Sequence, residues 1–494
     1  MLEHLEPKNV FAYFEEICNI PHGSGNVKKI SNYLMDFAEK NGLRASQDKW
    51  NNVTIKKPAF PGKEDRPPIM IQGHMDMVAV KEPDADIDMT KDPLRLSIDG
   101  DYVYAKQTSL GGDDGIAVAF GMALLSSENI SHPALELVVT TEEEVGMEGA
   151  IGIDLSACES RMLLNIDSET EGEFVTACAG GVSVKGMIPV KRIRQDSHGL
   201  WRKIEVKGFA GGHSGTEIHK NGANANIVLG EILGELAAEE DIKIKVFGGG
   251  SKDNAIPVEA DAIVGIPLKG EETEEELDKK AASFRSLCKR LEKKMQEKYK
   301  VTDPNCVLTV TDFDKEPAAC EGYLEPVFQK DMLALLAQAP NGVQAMSKEP
   351  EGLVQTSLNL GIMELGEEEF KIVFSVRSSD GGEKEDVMQK VCSLLAAYGG
   401  STETTGDYPA WEYRKDSPLR EHMVRVYEKQ YGKKPTVLSI HAGLECGILA
   451  AKVPGLDCVS FGPDILDIHT TRERMRISSV KRVWDFLVEV IETI

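Results

Sequence analysis

The chain has 494 residues, more than one hydrophobic core sustains, so two or more domains are expected; with 41% hydrophobic and 28% charged residues, a largely disordered chain is excluded. Its 56 basic residues against 81 acidic ones leave a net charge of −25, which repels polyanions, so neither nucleic acid nor an anionic membrane is an expected partner. Nine scattered cysteines without a C-x-x-C pair argue against a thiolate zinc site or a disulfide framework and fit a reducing compartment.

From the N-terminus, "MLEHLEPKNVFAYFEEICNIPHGSGN" lacks a basic segment followed by an apolar run, and no stretch of the chain approaches about 18 apolar residues. A cytoplasmic location is the expectation. Residues 1–187 then alternate strand and helix signals. "IMIQG" (69–73), "LELVVTT" (135–141) and "MLLNI" (162–166) are short β-branched or Leu-rich runs, the kind found in a sheet covered on both faces. Between the first two, "DDGIAVAFGMALLSS" puts Ile116, Ala119, Phe120, Ala123 and Leu124 on one helical stripe. Asp113 and Asp114 stand at its N-terminal end, where Asp114 is suited to cap the helix. The expected class is α/β with a mainly parallel central sheet.

From 188 the pattern changes to half-buried strands, such as "RKIEVKGFA", "IKIKVFGGG" and "DAIVGIPL", interrupted by long helices. The acidic run "GEETEEELDKK" (270–280) reads as a solvated helix start, with Glu at the positive end of the helix dipole. A second round of helix and strand signals ends in "LVQTSLNLGIM" and "FKIVFSVRSS". An inserted α+β lid domain of doubled size is therefore expected over 188–399. After 400 the α/β character returns with "PTVLSI" and "LDCVSFGP", and a final helix carries Val480, Val483, Trp484, Leu487 and Ile491 on one stripe. The first and last parts, 1–187 and 400–494, are expected to form one domain split by the insertion.

Several polar residues fall where such a sheet places its ligands, beyond the carboxyl ends of its strands. His74 and Asp76 end the first strand, and residues i and i+2 of an extended chain share a face, so imidazole and carboxylate converge. Glu142, Glu143 and Glu144 follow the second strand, Asp167 follows the third, Asp113 opens the helix, and His469 follows a late strand. Two histidines and several carboxylates on one rim, without cysteine, suit two zinc ions, each with three protein ligands and an open position. Cobalt or manganese would suit the same donors. The bland readings are a core-edge His–Asp pair, a solvated glutamate triplet like "GEEEF" (366–370), and a helix-capping Asp pair.

In this order, "GHMDMV", "SLGGDDG", "TEEEVGMEGA", "LLNIDSE", "AGGHSG", "FSVRSSD" and "HAGLECG" resemble the motifs of the aminoacyl-histidine dipeptidases, also called peptidase D or cytosol non-specific dipeptidases, within the co-catalytic zinc peptidases. The resemblance spans almost the whole chain. It implies hydrolysis of small peptides with a free N-terminus, broad in specificity and including Xaa-His, and a homodimer. It implies one zinc on His74 and Asp167, the other on Glu144 and His469, with Asp113 bridging. Asp76 would orient His74, as a carboxylate commonly does for a metal-bound imidazole, and Glu143 would be the general base. His213 would stabilise the oxyanion. Arg377 and Asn254 would read the substrate carboxylate, for which a guanidinium is a natural bidentate clamp. Glu445 would either start a helix or hold the substrate ammonium.

The chain departs from the family at its last ligand: where His-Ser-Pro-Asp-Glu is usual, it reads "HTTRE", with Thr471 and Arg472 in place of Pro-Asp. Two other readings compete: a deacylase of N-acyl amino acids on the same scaffold, and a non-catalytic metal-stabilised binding protein, against which Glu143 speaks. "FGGGS" (247–251) lacks the spacing and lysine of a phosphate loop, and His219, Trp201 and Trp411 read as packing or surface residues.

Overall fold

The computed structural model describes residues 1–194, 199–313, 317–347 and 352–494. They form two compact units, one of residues 1–178, 411–440 and 444–494, the other of residues 179–410 with 441–443.

The first unit is built on an eight-stranded sheet. Its central strands, Leu135–Thr140, Ile69–His74, Met162–Asn165 and Asp457–Ser460, run parallel, so their carboxyl ends share one edge. Every residue of Ile69–His74 and Leu135–Thr140 is buried, which is why these strands read as nearly continuous apolar runs. The antiparallel strands Arg44–Gln47 and Val53–Lys57 extend one side of the sheet; Glu173–Cys178 and Thr436–Ile440 close the other. The class is α/β with a mainly parallel sheet, as the sequence implies.

Helix Gly112–Ser126 differs from its expected one-sided stripe, because residues 112–125 are all buried. It packs on the strand Ile69–His74 and is covered by helix Lys8–Cys18, and a helix sandwiched in this way is apolar on every side. The C-terminal helix Ile477–Thr493 keeps its amphipathic form, burying Val480, Val483, Leu487 and Ile491, while Trp484 packs against Phe120 with ring centroids 5.8 Å apart.

The second unit holds a nine-stranded sheet, antiparallel throughout. Its order is Val307–Asp312, Gly199–Lys207, Ala260–Pro267, Lys243–Gly249, Val354–Leu365, Glu369–Ser378, Gly180–Pro189 and Ser401–Tyr408, with Gly342–Met346 paired beside Val354–Leu365. Helices Ala225–Glu239, Glu274–Tyr299, Pro326–Gln338 and Gly381–Ala397 accompany it. Glu276, in the first turn of Glu274–Tyr299, completes a capping box with Thr273, and Trp201 and Trp411 are buried. The units divide at 178 and 410 instead of 187 and 399, and the sheet gives the reason. Gly180–Pro189 pairs along its length with Glu369–Ser378, and Ser401–Tyr408 pairs with Gly180–Pro189 in turn.

Candidate metal centre and its companion cluster

At the carboxyl edge of the first unit's sheet, His74 is the last residue of its strand and lies opposite Thr140 of the neighbouring one. Its imidazole is buried and faces carboxylates on both sides: Nε2 is 3.3 Å from Asp113 Oδ1 and 3.5 Å from Asp167 Oδ1. The second oxygen of Asp113 turns the other way, with His469 Nε2 3.2 Å from Oδ2. That imidazole also lies 3.0 Å from Glu144 Oε1. Asp113 therefore stands between two donor pairs, one oxygen toward each. Donor atoms of His74, Asp113 and Glu144, and separately of His74, Asp114 and Asp167, all fall within 4.8 Å of one another, so the groups form one continuous cluster.

The glutamate triplet divides its work through its turn. Glu142 adopts a left-handed backbone, φ 56°, and its carboxylate accepts the Gly25 N–H at 2.8 and 3.0 Å. Glu143 and Glu144 then direct their backbone N–H groups at Asp76, 3.1 Å to Oδ1 and 3.4 Å to Oδ2. Glu143 Oε2 lies 4.0 Å from His74 Nε2.

Asp76 approaches His74 through both its backbone and its side chain. The close partner of His74 Nδ1 is the backbone carbonyl of Asp76 at 2.9 Å, with the carboxylate at 3.5 Å. The carboxylate is engaged by Glu143, Glu144 and the Ser24 hydroxyl, which donates at 2.9 Å. Asp114 does not cap the helix through its side chain: residues 113 and 114 have non-helical backbone angles. Asp114 Oδ2 instead accepts the His74 N–H at 3.1 Å.

The electrostatics follow from many acids in a dry place. Burial pushes Glu143 well above the usual carboxylate range, with His74 opposing and Asp167, Glu445 and Glu144 adding repulsion. Burial likewise raises Asp167 to about 6, against the stabilising His74 and with repulsion from Asp113 and Glu144, and it raises Asp114. Burial alone would lower His74, yet Asp113, Asp167 and Asp76 hold it well above 6.5. Hydrogen bonds to Asp113 and Glu144 lift His469 to about 10. Among the described residues, no lysine or arginine forms an ion pair with Asp113, Asp114, Glu143, Glu144 or Asp167. A buried excess of negative charge with oxygen and imidazole donors fits divalent cations, since uncompensated buried charge is strongly unfavourable.

Of the two readings open for Glu445, helix start and ammonium site, the fold matches the first. The residue opens helix Glu445–Lys452 and is 0% exposed, too deep to meet a substrate ammonium. Its Oε2 accepts from Gln72 Nε2 and Thr140 Oγ1, both at 2.6 Å, and Gln72 in turn accepts from Asn165 Nδ2 at 2.7 Å. It thus ties together the three strands that carry the cluster. Its other oxygen is buried without a hydrogen-bond partner, and burial raises the group to about 7.

Sequence reasoning missed Glu473, a buried carboxylate that accepts from Leu110 N–H at 2.9 Å, Gly111 at 3.2 Å, Gly112 at 2.8 Å and Asp113 at 3.5 Å. The available signal was the glutamate that survives at the end of "HTTRE".

The second unit carries the remaining candidates. His213 sits in the turn after strand Gly199–Lys207. Its Nδ1 accepts backbone N–H groups of Thr216 at 3.1 Å and Gly215 at 3.3 Å, which places the proton of the neutral ring on Nε2. Burial and then Arg377 lower its pKa, against Glu217. Arg377 is buried, donates to the Tyr408 hydroxyl at 2.9 Å, and leaves Nε without a hydrogen-bond partner. His441 faces the Ser357 hydroxyl at 2.7 Å through Nε2; burial, then Arg377 and His213, press it down to about 4. Asn254 is exposed. Its carbonyl accepts the Ser214 N–H at 2.8 Å, and the flanking carbonyls of Asp253 and Ala255 are held by Asn359 Nδ2. A cavity of about 670 Å³ is lined by His213, Asn254, Ile256 and Val258, among others. His219 is exposed.

A parallel sheet whose strand ends gather one buried and one exposed imidazole with several carboxylates has the donor set of a metal-dependent hydrolase of the α/β class. Residues 70–493 match the model of peptidase family M20/M25/M40, and the chain belongs to that family. It is 35% identical over 494 residues to the cytosol non-specific dipeptidase of Escherichia coli (strain K12), covering 100% of this chain and 99% of that one. Among solved structures it resembles the aminoacylhistidine dipeptidase of Vibrio alginolyticus, with TM-score 0.87, 35% identity, and 100% and 98% of the two chains covered. The aminopeptidase PepT of Bacillus cereus shares the fold, with TM-score 0.55 and 16% identity over 99% of this chain and 98% of that one.

Proposed function

We propose that this metallo-dipeptidase uses two zinc ions to hydrolyse dipeptides with a free N-terminus, Xaa-His among a broader set. His74 and Asp167 would hold one ion, Glu144 and His469 the other, and Asp113 would bridge them. The observation that carries this reading is the division of Asp113, one oxygen toward His74 and the other toward His469. Bound there, the ions would supply Lewis-acid polarisation of the peptide carbonyl and acidify water.

The protein's own groups do the rest. Glu143, its pKa raised by desolvation, takes a proton from the attacking water on its carboxylate and passes it to the departing amine nitrogen, a role suited to a carboxylate more basic than usual. Asp76 holds the backbone of Glu143 and Glu144 so that one side chain serves as base and the other as ligand. His213, with its proton on Nε2, donates to the oxyanion that forms at the carbonyl. Arg377 and Asn254 receive the substrate carboxylate. The cytosol in the name of the Escherichia coli relative points to a cytoplasmic enzyme. A homodimer is the expected assembly, to be measured by light scattering.

The burial of Glu445 favours a second reading, deacylation of N-acyl amino acids, because it removes the candidate for ammonium recognition. Amine release from Ala-His, β-Ala-His, Gly-Gly and N-acetyl-Ala separates the two. Zinc-dependent cleavage of the free dipeptides alone supports the dipeptidase, and cleavage of N-acetyl-Ala alone supports the deacylase.

A further inference from the structure

Glu473 gathers four consecutive backbone N–H groups, from Leu110 to Asp113, onto one buried carboxylate. The loop can converge in this way because Gly111 takes a left-handed φ of 68° and because Gly112 passes so close that a Cβ there would lie 3.3 Å from Glu473 Oε1. Successive amides aimed at one anion form a nest, and the anion fixes the loop. The last of these amides belongs to Asp113. On its other side, the Glu473 N–H closes a turn onto the Thr470 carbonyl at 3.2 Å, immediately after His469. The backbone of His469, the residue just before this turn, is left-handed, φ 61°, and its imidazole lies against Asp113 and Glu144.

We infer that Glu473 is a positioning residue for the metal centre: its carboxylate sets Asp113 between the two donor pairs, and its backbone fixes the loop that presents His469. The replacement of Pro-Asp by Thr471 and Arg472 is compatible with this, because the loop is held by the glutamate that follows. The inference rests on the two-zinc reading.

The test is zinc binding by equilibrium dialysis with metal analysis on the full-length wild type, Glu473→Gln, Glu473→Asp and a control, Glu136→Gln. Glutamine turns an NH2 group toward amides that need an acceptor, and aspartate keeps the charge but falls one methylene short. Glu136 is another buried carboxylate receiving backbone N–H groups, those of Glu159 and Ser160, away from the cluster. Wild type is expected to bind two zincs. Glu473→Gln should lose one of them by about 10–100-fold in affinity, the range found when groups supporting metal ligands are removed, with kcat falling and KM nearly unchanged. Glu136→Gln should lower only thermal stability and keep both zincs. Wild-type zinc affinities in Glu473→Gln would overturn the inference. If that variant does not fold, Glu473→Asp decides, and unchanged affinity there overturns it equally. A wild type that does not take up two zincs refutes the two-zinc reading itself, and the inference falls with it.

Discussion

Asp113, His74 and the glutamate triplet show how much chemistry a few positions can announce. Strand-end histidines and carboxylates with their spacings were legible because period-two geometry and the carboxyl-edge rule act locally. The contacts that were not legible join residues far apart in sequence: Glu473 reaches Gly112 across 361 residues, and Glu445 reaches Gln72 across 373. The glutamates themselves can be noticed in the sequence, but nothing in a single sequence marks the donors they meet. Replacing Glu143 with Gln keeps the shape and removes the base, so kcat should fall by about 10²–10⁴-fold while zinc content stays at the wild-type value. His213→Ala should reduce kcat by about 10²–10³-fold if its Nε2–H meets the oxyanion, without altering zinc content. His441 gives a pH prediction. Folded, it protonates only near pH 4, against 6.5 for an ordinary histidine. Between these values the unfolded chain takes up a proton that the folded one refuses, so stability falls as pH drops from about 6.5 to about 4. Urea midpoints across that window should vary less in His441→Gln than in wild type.

At the scale of elements, the decisive contact is that of strand Ile69–His74 with helix Gly112–Ser126. Gly73 permits it: a Cβ there would come within 2.5 Å of Ala117 Cβ and would also strike the Asp114 carboxylate. Gly73→Ala should therefore destabilise the protein by about 1–3 kcal/mol through overpacking, read as a lower denaturant midpoint, and should weaken zinc binding because Asp113 opens the displaced helix. The two short apolar strands and the helix between them were legible from their apolar runs. That the helix is buried on every side was less so, because its burial depends on helix Lys8–Cys18, a partner that periodicity cannot identify. The domain limits were misplaced by about ten residues for a related reason: the strand Gly180–Pro189 looks like a continuation of the preceding α/β pattern until its pairing with Glu369–Ser378 is seen.

For the whole molecule, the acid-rich centre makes metal part of the stability of the fold. Without cations, Asp113, Glu143, Glu144, Asp167 and Asp114 repel one another in a buried site, and a ligand that binds only the folded chain stabilises it by about 2.7 kcal/mol at a hundred times its dissociation constant. Chelation should lower the thermal midpoint and zinc should restore it, whereas magnesium, which prefers octahedral oxygen ligands, should do so poorly. The central claim is that two metal ions on these donors drive peptide hydrolysis. Its most direct test is a titration of chelator-stripped protein with zinc, following Ala-His hydrolysis against zinc bound per chain. Activity that reaches its plateau at two bound zincs is the predicted result. Full activity in the stripped protein, or a plateau at one zinc, would contradict it.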